Sequence, residues 1–190
     1  SLKTEMNVFD EIIPRFLNTL QLSFFAIAFA TLFGIPLGIV AAVNEGKIFD
    51  KIISGIYFFG VSMPVFWLGI LLMLFFSVYL NVLPAGGKTG FESIILPSVS
   101  LGFIISGTVI KMTRTSMITV LKEEHIRTMK AYGVKNRKIV YKYALKNALA
   151  PIITILGLEF GYTLGGAILT EKVFGWPGLG RLIVDSIYYR

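Results

Sequence analysis

Few residues in this chain have the types and spacing that chemistry needs. Gly87-Lys88-Thr89 imitates the end of a phosphate-binding loop, but Val82 stands where that loop needs its first glycine. His125 is the only histidine and there is no cysteine. That excludes disulfides, Cys-ligated zinc, thiol chemistry and a His cluster for zinc or nickel transfer. No nucleophile–base set can be assembled, so no catalytic residue and no metal ligand is assigned. Two features remain. Glu159 is the one acid in an otherwise uncharged run, and an ionisable group in such a place is by default a functional candidate. The stretch Arg127 to Pro151, RTMKAYGVKNRKIVYKYALKNALAP, is densely basic within a greasy chain.

The elements that must position these residues follow from the uncharged runs. Leu20 to Val43, Ile52 to Leu80 and Ser93 to Ile110 carry no charge, and Asn147 to Thr170 carries only Glu159. A helix rises about 1.5 Å per residue, so roughly 20 apolar residues cross a hydrocarbon core. Four membrane spans are expected, the third completed if its helix continues past Lys111 through Met112 and Thr113. Composition agrees: charged residues make up 15% and mean hydropathy is +0.75, where an average soluble domain carries about 25% charge. The fold class expected is all-α, a polytopic helical bundle. Gly34, Pro36 and Gly38 in the first span, Ser62-Met63-Pro64 in the second, Pro97 in the third and the Gly157, Gly161, Gly165, Gly166 series in the fourth read as kinks and close helix contacts. A pathway-lining role for some of them stays open. Trp67 with Phe58, Phe59 and Phe66 reads as helix packing, and Trp176-Pro177-Gly178 with Gly180 as an outer-side turn, either an interfacial anchor or a gate contact.

Orientation follows from the loops. The connection NEGKIFDK holds Lys47 and Lys51, and the connection after the third span holds Lys111, Arg114, Lys122, Arg127, Lys130, Lys135, Arg137, Lys138, Lys142 and Lys146. The positive-inside rule puts residues 44–51 and 111–147 in the cytoplasm of a multi-pass protein of the cell membrane. Ser1 and Arg190 then both face outward, which hints at a fragment. The start, SLKTEMNVFDEIIPRF, is acidic and amphipathic and does not have the layout of a signal peptide.

Within the basic insert, Ile118, Leu121, His125, Met129 and Tyr132 form one helical stripe. Gly133 breaks it as a C′ glycine, and a second helix is expected from Asn136, a plausible N-cap. Pro151 suits the first turns of the following span. Two short amphipathic helices with a glycine elbow fit three roles: a loop lying on lipid headgroups, a nucleic-acid-binding helix-turn-helix, or a dock for a cytoplasmic partner. The nucleic-acid role is the weakest, because both helix ends are tied to the membrane.

The residues then carry a resemblance. RTMKAYG (Arg127 to Gly133) and YALKNALAP (Tyr143 to Pro151) resemble the EAA loop of ATP-binding-cassette importer permeases, in its oligopeptide, dipeptide and nickel branch. SMPVFWLGILL (Ser62 to Leu72), NVLPAGG (Asn81 to Gly87) and EKVFGWPGLGRLIVDSI (Glu171 to Ile187) resemble further segments of that branch, in the same order. Arg127 stands at the first letter of the signature, as is usual there, while Met129 replaces a small residue and Lys146 a proline of sugar-type relatives.

The resemblance implies the type I permease fold as a single domain over 1–190, lacking a first and a last span, with a coupling loop over 117–147. It implies a non-enzymatic permease subunit of an ATP-driven importer, most simply for di- and oligopeptides; nickel, glutathione-like or other small cargo stays open. A non-transporting anchor or sensor is the alternative from another class. The implied partners are a second homologous permease or a copy of itself, two ATPase subunits carrying ATP and magnesium, an extracytoplasmic binding protein and membrane lipid. No cofactor is expected in this chain. The implied ATPase contact is Leu121, His125, Arg127, Thr128, Met129, Lys130, Ala131 and Gly133. Ser62, Pro64, Phe66 and Glu159 are the candidates for the substrate pathway.

Overall fold

A computed structural model of the chain describes residues 8–188. The first seven residues of the expected amphipathic start, and the two outermost residues at the other end, lie outside that range. The described residues with regular structure are helical: α1 (Val8–Val43), α2 (Ile48–Ser62), α3 (Val65–Met73), α4 (Ile95–Leu121), α5 (Glu124–Ala131), α6 (Asn136–Lys138), α7 (Leu145–Gly166), α8 (Ile168–Val173) and α9 (Leu179–Tyr188). A π-helical turn, Leu74–Tyr79, extends α3, and another, Ile139–Ala144, joins α6 to α7. A 3-10 turn, Phe91–Ile94, leads into α4.

Among the described residues, three segments are long and apolar enough to cross a membrane: Val8–Val43, Phe91–Leu121 and Asn136–Gly165. The second expected span differs. It is a pair, Ile48–Ser62 and Val65–Tyr79, bent by 100° at its break. Pro64 causes this: it has no N–H to continue the helix and forces Met63 out of the helical region, while its own backbone is extended at ψ 130°. A kink is therefore too mild a description of Ser62-Met63-Pro64. Two smaller expectations also change. Pro151 lies inside a helix already running from Asn136, not in its first turns. The fourth run ends at Gly166, and α8 restarts beyond Ala167, whose ψ of 43° leaves the helix.

The chain forms two compact units, Ser1–Ala28 with Met63–Phe103 and Glu159–Arg190, and Phe29–Ser62 with Ile104–Leu158. In the second, Ile39, Ala42, Met117, Val120, Ile126, Ile139, Ala144, Ala148 and Ile152 make one core. Here α1 runs unbroken through Gly34-Ile35-Pro36-Leu37-Gly38, and these glycines serve contact: a Cβ on Gly38 would lie 2.5 Å from Thr113 Cβ and 2.9 Å from the Ile110 carbonyl. Gly38→Val is therefore expected to separate α1 from α4 and to cut the amount of folded permease in membranes several-fold, measured by fluorescence-detected size exclusion. Gly38→Ala is expected to do less.

In the first unit, Leu22, Ile94, Ala167 and Trp176 are buried together. Trp176 is 1% exposed, so it is no interfacial anchor. Phe58, Phe59, Phe66 and Trp67 are the reverse, each at least 42% exposed. Each leaves about half of its surface outside the packing of this chain, with the Phe58 ring resting against Tyr57 at 4.4 Å between centroids, and in a bilayer such surfaces meet acyl chains or another subunit.

Candidate functional site

The basic insert begins where α4 stops at Leu121. Lys122 and Glu123 close its last turn with N–H bonds to the Thr119 and Val120 carbonyls, and α5 starts afresh at Glu124. The stripe expected along one helix is thus split over two. The split re-aims the chain: Ile126, absent from that stripe, is fully buried, while Tyr132 is 84% exposed. Leu121, Met129 and Ile118 pack against the same core as Ile126. Arg127, Thr128, Lys130 and Ala131 are left exposed. Thr128 Oγ1 donates to the Glu124 carbonyl of its own helix.

Gly133 closes α5 with φ +75°. The Val134 N–H bonds the Met129 carbonyl at 3.1 Å and the Gly133 N–H bonds the Lys130 carbonyl at 3.0 Å. This is the pair of bonds of a Schellman motif, which satisfies carbonyls that end a helix. The next helix begins at Asn136 with Lys135 as its N-cap, so Asn136 is its first residue and not the cap. A cavity of about 630 Å³ opens on this helix, lined by Lys135, Arg137, Lys138, Tyr141 and Lys142.

His125 is held locally. Its Nδ1 lies 3.1 Å from Glu123 Oε2 and its Nε2 lies 3.4 Å from Asn147 Nδ2. In that arrangement the ring donates to the carboxylate and accepts from the amide. The loop over residues 44–51 is held to α4 from below the insert. Arg114 Nε donates to Asp50 Oδ1 at 2.6 Å and Arg114 Nη2 to Asp50 Oδ2 at 2.8 Å. The Gly46 N–H, in a turn at φ +77°, also donates to Asp50 Oδ2. Lys122 Nζ donates to Glu45 Oε1 at 2.8 Å. Two ion pairs therefore strap α4 between Arg114 and Lys122, directly before α5. Nothing in residue type marked Asp50 as special; only the bidentate geometry does.

The pathway candidates fall on different elements: Ser62 ends α2, Pro64 precedes α3, Phe66 lies on α3 and Glu159 is half-buried on α7. Neither the basic cavity nor a second one on α9, lined by Leu182, Ile183, Ser186 and Ile187, includes any of them.

A polar knot that the sequence reading passed over lies in the other unit. Glu171 is fully buried. Thr19 Oγ1 donates to its Oε1 at 2.6 Å and the Arg181 N–H to its Oε2 at 3.0 Å. Thr19 Oγ1 in turn accepts the Leu179 N–H at 2.9 Å. Asn18 Nδ2 donates to the Pro177 carbonyl, its own carbonyl accepts Trp176 Nε1, and its Oδ1 accepts Lys88 Nζ at 2.6 Å. The sequence signal was present: an acid and glycines spaced through EKVFGWPGLG. A buried carboxylate needs that room.

The chain is 39% identical over 221 residues to the dipeptide transport system permease protein DppB of Escherichia coli (strain K12), covering 100% of this chain and 65% of that protein. It is 43% identical over 190 residues to the glutathione transport system permease protein GsiC of the same strain, covering 100% of this chain and 62% of that one. The chain thus spans less than two thirds of these relatives. Among solved structures, the inward-facing MetNI methionine ABC transporter superimposes with a TM-score of 0.80 at 19% identity, over 96% of this chain and 84% of that one. An amino acid ABC transporter with histidines does so with a TM-score of 0.71, over 95% and 80%. Both share the fold. The family model described as binding-protein-dependent transport system inner membrane component matches residues 34–190, and the chain belongs to that family.

Proposed function

We propose that this chain is the permease part of an ATP-driven importer that moves peptides across the cytoplasmic membrane by alternating access. The observation that carries the reading is the form of α5. It is a short helix seated by Ile126 and closed by a Schellman turn, with Arg127, Thr128, Lys130 and Ala131 left outward. A helix held on one face and charged on the other transmits a push without deforming, and the Asp50–Arg114 and Glu45–Lys122 strap passes it into α4 and the 44–51 loop. The motor is a pair of separate ATPase subunits that hold ATP and magnesium. A second permease, homologous or identical, completes the pathway, and an extracytoplasmic binding protein delivers the cargo. Peptide cargo is supported by the dipeptide and glutathione permeases that this chain resembles.

Residues 44–51 and 111–147 face the cytoplasm in this reading, and Leu121, His125, Met129 and Gly133 shape the contact that the exposed residues make. This chain contributes no cysteine of its own, so in a transporter whose other cysteines are replaced, single cysteines at Arg127, Thr128, Lys130 and Ala131 each report one position. Each is expected to crosslink to an ATPase subunit in membranes that take up labelled dipeptide. Crosslinking confined to the Lys47–Lys51 loop, or labelling of these sites by an impermeant reagent from outside the cell, would defeat the assignment.

A further inference from the structure

Among the described residues, Glu171 is the one fully buried acid that the coupling site does not use. Its carboxylate takes two hydrogen bonds, one from the Thr19 hydroxyl and one from the Arg181 backbone N–H. Thr19 both donates to Glu171 and accepts the Leu179 N–H, so its hydroxyl links the carboxylate to the start of α9. Leu179 and Arg181 begin α9, whose first N–H groups have no partner within the helix. So α1 and α8 supply two of the acceptors that this helix start needs, and the carboxylate lies where the helix dipole favours negative charge. The chain makes room for it: a Cβ on Gly178 would overlap the Glu171 carboxylate, and one on Gly180 would lie 3.0 Å from its Oε2.

An apolar side chain would fill that space without the cost of burying a charge, which makes a sealed carboxylate a poor choice for stability alone. It is a good choice for a directional hold. The turn before α9 is tied to α1 a second time through Asn18, the neighbour of Thr19, which bonds Pro177, Trp176 and Lys88. The Lys88 loop is tied again where the Gly87 N–H donates to the Phe174 carbonyl at 2.8 Å.

We propose that Glu171 and Thr19 are positioning residues: a latch that sets α9 and its preceding turn against α1, on which tight coupling of transport to ATP hydrolysis depends. This rests on the importer reading, in which the Lys88 loop and the 174–181 turn face outward and receive the delivered cargo. A released α9 leaves that mouth unset, so ATP is spent without cargo being moved.

The test uses the complete transporter, full-length permease with its partner subunits, in native membranes. A single cysteine at Val184, half-buried on α9, is labelled with a membrane-impermeant maleimide, and dipeptide moved per ATP is measured alongside. Thr19→Val and Glu171→Ala are expected to raise the labelling rate at least fivefold and to lower dipeptide moved per ATP at least fivefold. Thr19→Ser, which keeps the hydroxyl, is expected to return both to within twofold of the parent. Unchanged labelling overturns the latch. So does raised labelling with unchanged transport per ATP, or a loss of uptake and hydrolysis in mere proportion to the permease recovered. If the parent moves no peptide, the peptide cargo of the proposed function fails, and the labelling arm still decides whether the latch exists.

Discussion

Asp50→Ala is expected to cut uptake at least tenfold and to lower the melting temperature of the purified assembly. Asp50 is only 4% exposed, and it alone receives both nitrogens of Arg114 and the Gly46 N–H. Removing one partner of a buried ion pair costs about 3–5 kcal/mol, because the other charge is left without compensation. The Arg114 side chain is 26% exposed, so water recovers part of this and about 2–3 kcal/mol remains. The loss falls where it does most harm, since the freed loop is the strap on the helix that leads into α5. Asp50→Asn keeps an acceptor for Gly46 and is expected to be milder. Asp50→Ala combined with Arg114→Met removes both charges and is expected to regain part of the stability. An Asp50→Ala transporter with parental melting and uptake would show that the strap carries no force.

Ile126→Asp is expected to abolish uptake while Ile126→Val leaves it near the parental level. Ile126 is fully buried in one core with Met117, Val120, Ile139 and Ala144. Losing one methyl there costs about 0.5–1.5 kcal/mol, which a packed core tolerates. An unpaired carboxylate cannot stay in that place, so α5 must lift from its seat to hydrate it. The exposed residues then remain on the surface but lose the rigid backing that makes them a lever. The check is uptake and ATP hydrolysis measured together in proteoliposomes. Hydrolysis that persists without uptake is the expected signature, and parental uptake in Ile126→Asp would show that α5 needs no seat. Charge reversal at Arg127 or Lys130, by contrast, is expected to weaken the partner contact without moving the melting temperature, since neither side chain is buried.

The elbow at Gly133 was legible because it depends on local rules: a stripe ends, a glycine follows, and few other residues tolerate φ +75°. The break of α4 at Lys122 and Glu123 was not legible. Its apolar residues continue at helical spacing on both sides, and the change of axis shows only in the extended backbone of Glu123 and the burial of Ile126. Pro64 was legible as an interruption, but a proline does not state its bend angle, which is set by what each half packs against. Trp176 left two readings open, anchor or gate contact, for a related reason. Tryptophan suits both a headgroup layer and a dry pocket, and its partner, the Asn18 carbonyl, stands 158 positions away in the chain.

Taken by itself, the order of residues determined that the chain crosses a membrane, that it carries a basic helix–glycine–helix insert, and which family's segments it repeats. These properties depend on composition, period and short motifs, all of which survive without a third dimension. Only the tertiary structure decided that Ile126 seats the lever, that Asp50 answers Arg114, and that Glu171 and Thr19 join at the start of α9. Each of these unites residues from distant parts of the chain through bonds a few ångströms long, and a one-residue shift of either helix would break them.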